Sequence, residues 1–133
     1  MTGQEPARPA LVVDLDGTLT IEGSAKRYED VLPRGDIVAQ IRKYAGDGFR
    51  IAIITSRNMR TFQNSMGRIN AETLPVIVEW LKRNAVPFDE IHVGKPWCGA
   101  GGFYIDDRAI RPSEFRSLER GAIAEILERE RRG

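Results

Sequence analysis

The sequence predicts an α/β fold with a parallel sheet. Three observations predict it. Short apolar runs of strand length recur along the chain. Stretches of helical periodicity alternate with them. Reactive or phosphate-friendly residues follow the ends of these runs, where open α/β sheets bind their ligands.

The first strand spans Ala10 to Leu15 and ends in Asp14-Leu15-Asp16-Gly17-Thr18. Gly17 implies a sharp turn directly after the carboxylates. Thr20 to Pro33 is polar and irregular, too short for a cap domain but long enough for a flap. Arg34 to Ala45 is a helix, with Ile37, Val38, Ile41, Tyr44 and Ala45 at helical spacing and Gly46-Asp47-Gly48 as its stop. Phe49 to Thr55 is a second buried strand. Ser56 to Thr73 is a long polar connection of the kind that is functional or locally helical. Leu74 to Asn84 is a second helix with Pro75 near its start, and Val76, Ile77, Trp80 and Leu81 line its apolar side. Ile91-His92-Val93 is a third strand. A glycine-rich turn, Gly94 to Gly102, leads to a fourth, Phe103-Tyr104-Ile105, which ends at Asp106-Asp107. A last helix, Ser113 to Arg132, is capped by Ser113 and charged at its end.

At 133 residues the chain has room for one domain with a real core, expected over residues 10–133 behind a flexible leader at 1–9. A formal net charge of +1 gives no electrostatic case for a nucleic-acid partner. Cys98 is the only cysteine, which rules out an internal disulfide and a thiolate metal cluster and suits a reducing cytoplasm. The apolar runs are too short to insert in a bilayer.

In a parallel sheet the carboxyl ends of all strands share one edge. Asp14 and Asp16, Thr55-Ser56-Arg57, Lys95 and Asp106-Asp107 would therefore converge on one crevice. That set suits phosphate chemistry. Asp14 would attack phosphorus as a nucleophile. Asp16 would act as general acid and base, with a pKa raised relative to that of Asp14. The Thr55 hydroxyl and Lys95 would hold phosphoryl oxygens. Oxygen ligands and a dianionic phosphate favour Mg2+ (magnesium), held by Asp14, the backbone carbonyl of Asp16 and Asp106. Asp107 is a further ligand or holds a metal-bound water or Lys95. Ser56, Arg57, Asn58 and Arg60 are candidates for substrate contact, and a solvated loop accounts for the last three equally well.

Asp14-Leu15-Asp16-Gly17-Thr18-Leu19, Thr55, Lys95 and Asp106-Asp107, in this order, resemble the four signature motifs of the haloacid dehalogenase superfamily of phosphohydrolases. Thr55-Ser56-Arg57-Asn58-Met59-Arg60-Thr61, the segment Val93 to Gly99, and Gly102 to Phe115 are similar to the small capless phosphatases of bacterial capsule-biosynthesis loci. The resemblance implies a three-layer, Rossmann-like fold without a cap domain. It also implies magnesium-dependent phosphatase activity linked to surface polysaccharide, and a homo-oligomer, dimer or tetramer; it does not identify the substrate, for which a small phosphorylated metabolite such as a sugar or polyol phosphate is the leading expectation. One departure stands out. Lys95 lies eleven positions before Asp106, too close for the full helix usual between those motifs.

Other readings compete. Taken singly, Asp-x-Asp-Gly-Thr could be a solvated turn, and Asp106-Asp107 could cap the next helix. His92 reads as structural, and Cys98 is an improbable nucleophile beside Asp14. The alternatives to a phosphatase are a phosphotransferase, or a non-catalytic phosphate-binding subunit of a polysaccharide-synthesis assembly. A receiver domain is disfavoured because its phosphate-accepting aspartate follows the third strand and not the first.

Overall fold

The computed structural model describes residues 8–133. The chain divides into two compact units, one running to Lys95 and the other spanning Pro96–Gly133. All but Arg8 and Pro9 of the expected leader lies outside the described residues.

The first unit is built on three parallel strands, β1 (Ala10–Asp14), β2 (Arg50–Thr55) and β3 (Glu90–Val93), in the order β1-β2-β3. β-branched and other apolar residues build them, and β2, between the other two, is the buried one, whereas β1 and β3 are each partly exposed. The register pairs Asp14 with Ile54 and Thr55 with Val93, so all three strands end at one edge. Helices α1 (Gly35–Gly46), α2 (Met66–Arg68) and α3 (Leu74–Arg83) complete this unit. The core comprises Leu15, Leu19, Ile37, Ile41, Ile51, Ile53, Ile69, Ile77, Trp80 and Leu81, each essentially inaccessible to solvent. Full burial of such side chains stabilises by about 1.5–3 kcal/mol each.

The long connection after β2 is partly helical. Ser65 caps α2 by accepting a hydrogen bond from the Arg68 backbone N–H, and a π-helical turn, Ile69–Thr73, carries the helix into α3. The wide turn lies directly before Pro75, which has no N–H to give to a regular α pattern. The flap at 20–33 is a closed loop. A bridge between Thr20 and Pro33 pins its base, and Trp80 Nε1 donates to Val31 O at 2.8 Å.

Two expectations fail in the second unit. The fourth strand is not there: Phe103-Tyr104-Ile105 belongs to no sheet, and Phe103 and Ile105 are 77% and 90% exposed. A strand-forming composition makes no strand without a partner edge. The single last helix is two, α4 (Pro112–Ser117) and α5 (Arg120–Arg132), parted by extended backbone at Leu118 and Glu119. α4 starts with Pro112 at its first turn, so Arg111 and not Ser113 is its cap residue, and Glu114 closes the turn by accepting from the Arg111 N–H at 3.0 Å.

Among the described residues, no helix is long and apolar enough to cross a membrane. No cap domain is present in the first unit, where the flap and the 56–73 connection are the longest insertions.

Candidate active site

A type II turn ends β1. Asp16 (φ −72°, ψ 124°) and Gly17 (φ 83°, ψ −5°) occupy its central positions, and the positive φ demands glycine at the second. The turn leaves Asp14 and Asp16 at the carboxyl edge of the sheet and is braced by the Gly17 N–H, which donates to Thr20 Oγ1 at 3.1 Å.

Lys95 reaches this edge from the far strand. Its backbone N–H donates to Thr55 O at 3.0 Å, and its Nζ lies 3.5 Å from Asp14 Oδ1, across 81 positions of sequence. Gly94 makes the approach with φ 86°, a left-handed conformation that turns the chain back over the end of β2. Thr18, not expected as a participant, donates its hydroxyl to Asp14 Oδ2 at 3.2 Å. Burial raises the Asp14 carboxyl above its ordinary range, while the Lys95 charge and the Thr18 hydroxyl pull it back down.

Asp16 is engaged by Arg57. Nε donates to Oδ2 at 3.1 Å and Nη2 to Oδ1 at 2.7 Å, a bidentate pair. The Arg57 side chain is 1% exposed, and Tyr28 of the flap stacks over its guanidinium with 4.2 Å from Cζ to the ring centre. Arg57 is positioned by its own N–H, which donates to the buried Thr55 Oγ1 at 3.0 Å. That bond uses the Thr55 oxygen as acceptor and leaves its hydroxyl proton available to a ligand. The third nitrogen of Arg57, Nη1, is buried with no hydrogen-bond partner.

Asn58, in a left-handed conformation (φ 63°), accepts a 2.7 Å hydrogen bond from the Thr73 hydroxyl through its Oδ1. Arg57, Asn58, Glu72, Thr73 and Val76 line one side of a cleft of about 240 Å³, and Lys26 to Glu29 of the flap line the other. Ser56 is half-buried beside it in sequence, and Arg60 is exposed.

Asp14, Asp16, Thr55 and Lys95 are thus brought together, with Arg57 beside them. Asp106 and Asp107 belong to the second unit, where both are exposed and Asp106 Oδ1 accepts from the Arg108 N–H at 2.7 Å. Among the described residues, no group of three or more carboxylate, imidazole or thiol side chains stands close enough to hold a metal ion. In the first unit Asp14 and Asp16 supply oxygens, and each has a cationic partner, Lys95 and Arg57. Thr18 and Tyr28 were missed from sequence. Thr18 had a signal in its place one residue after the turn glycine; Tyr28 had none.

No protein-family model and no curated protein matches the chain. A solved structure does: the crystal structure of an MCSG target from Vibrio cholerae is 55% identical, covers 92% of this chain and 98% of its own, and superposes with a TM-score of 0.89. The chain belongs to one family with that Vibrio cholerae protein. The likeness to the Vibrio cholerae structure supports the α/β architecture and carries no reaction with it.

Proposed function

We propose that this protein is a capless phosphomonoesterase of haloacid dehalogenase type, acting on a small phosphorylated metabolite such as a sugar or polyol phosphate in surface polysaccharide synthesis. The observation that supports it best is the approach of Lys95 Nζ to Asp14 Oδ1 at 3.5 Å, with Thr55 on the strand between them. A cation, a hydroxyl donor and a carboxylate from three separate strand ends suit a phosphoryl group attacked by Asp14.

In this reading an Asp14 oxygen bonds to phosphorus as the ester oxygen departs, leaving an aspartyl-phosphate. Thr55 Oγ and Lys95 Nζ bind the phosphoryl oxygens. Asp16 gives a proton to the leaving oxygen, then takes one from the water that frees phosphate and restores Asp14. A carboxylate gripped by two N–H donors cannot offer a proton, so the Asp16–Arg57 pair must open for turnover. Magnesium is the expected cofactor, and it would offset the charge of the incoming phosphate.

The Asp16–Arg57 pair also favours a second reading, a phosphate-binding subunit without turnover. Phosphate release from an aryl phosphate and from a panel of sugar, polyol and sugar-acid phosphates, with and without magnesium, separates the two. A magnesium-dependent rate that Asp14→Asn abolishes is the result expected of the phosphatase. Binding of phosphate with no release from any ester would leave the binding subunit.

A further inference from the structure

We propose that the cleft between the flap and the 56–73 connection takes a carboxylate carried by the substrate, and that this carboxylate draws Arg57 away from Asp16. The substrate class narrows to phosphorylated hydroxy acids and sugar acids. The release of Asp16 rests on the phosphatase reading; the carboxylate site does not.

Arg57 is the decisive residue. Its side chain is 1% exposed and lines the cleft. Asp16 uses one edge of its guanidinium, through Nε and Nη2. Nη1 is buried and has no hydrogen-bond partner. A buried donor left unmet is costly, so an arrangement that gives Nη1 an acceptor is favoured. The guanidinium fork matches a carboxylate in shape as well as in charge. A ligand hydroxyl is a poor rival to the Asp16 carboxylate, because charge-assisted hydrogen bonds are about twice as strong as neutral ones. An anion can compete. Nη1 is closed to solvent while Asp16 holds the side chain, so binding an anion there and opening the pair are one event.

The rest of the cleft carries the same preference. Asn58 Oδ1 accepts from the Thr73 hydroxyl, and the Asn58 amide nitrogen has no acceptor among the described residues. The two acidic residues of the cleft are matched: Glu29 pairs with Arg27 at 3.0 Å and Glu72 with Arg68 at 3.1 Å. With Asp16 on Arg57, Lys26 is the cation of the cleft without an ion-pair partner among the described residues. One anionic group restores the balance. The volume of about 240 Å³ is below the roughly 300–1,000 Å³ of common ligand pockets, which suits a small acid. Asp16 contacts Arg57 and, as general acid, the leaving oxygen. The carboxylate that replaces it on Arg57 therefore stands only a few bonds from the phosphate ester.

The test compares 3-phosphoglycerate with glycerol 3-phosphate, which differ by a carboxylate in place of a hydroxymethyl group. With magnesium, kcat/KM for the acid should exceed that for the alcohol by about tenfold or more. Arg57→Gln keeps a hydrogen-bonding amide without the charge and should bring the two within about threefold of each other. Lys26→Gln changes an exposed flap residue, so the fold is not at stake, and should lower the preference by about threefold. Titration calorimetry of both esters with Asp14→Asn reads the site without turnover, and the acid should again bind about tenfold more tightly. Equal binding and equal rates of release overturn the carboxylate site and leave the phosphatase standing. Tighter binding of the acid with release from neither ester leaves the carboxylate site and overturns the phosphatase. A preference for the acid that both substitutions leave undiminished overturns the role given to this cleft.

Discussion

Arg57 and Asp16 form a two-pronged ion pair whose cation is buried and whose anion is partly open to solvent, 1% against 26% of the side chain exposed. The asymmetry sets the cost of breaking it. Arg57→Ala leaves a carboxylate that water can reach, and should cost about 2–3 kcal/mol, at or below the low end for a broken buried pair. Asp16→Ala leaves a guanidinium that cannot shed its charge, and should cost more. Urea unfolding of both single variants and the double variant checks this. The double variant should lose less than the sum of the singles by about 1 kcal/mol or more, and strict additivity would show that the pair is not coupled.

Asp14 gives a pH dependence of definite sign. Burial is the largest influence on its carboxyl and raises it, against Lys95 and Thr18. The folded state therefore holds this proton more tightly than the unfolded chain. Its contribution is fully present below the unfolded pKa, close to the ordinary carboxyl value of 3.8, and is lost as pH rises through the raised folded value. Asp14→Asn removes the cost of ionising a buried group. The variant should melt higher than the parent at neutral pH, and the gap should close as the pH falls toward about 4. Calorimetry across that range measures it, and a gap that is constant with pH would assign the change to packing.

The strands and their edge were legible because local sequence determines them. An apolar run ending at Asp14, another ending at Thr55 and a third ending at Val93 mark three strands, of which β2 is the buried one, and the bounds found differ by about one residue. The Asp16–Arg57 pair was not legible. It depends on the turn at Ser56–Met59 and on a left-handed Asn58, which aim Arg57 back across the edge. Tyr28 over Arg57 depends on how the flap closes against Trp80 and Arg83, a tertiary matter with no local signature. The fourth strand was misplaced for a different reason. Its composition was read correctly, but pairing is a property of two segments, and the second unit holds helices and no strand to offer an edge.

Gly94 carries the chain from β3 to Lys95 with φ 86°, and a Cβ there would meet Met66 Sδ and Cε at 2.7 Å. The end of a half-exposed methionine can move aside; the backbone cannot change hand. Gly94→Ala should therefore cost about 1–2 kcal/mol from the left-handed conformation, and adding Met66→Ala should recover little of it. Full recovery in the double variant, read by denaturant unfolding, would instead place the cost in the methionine contact.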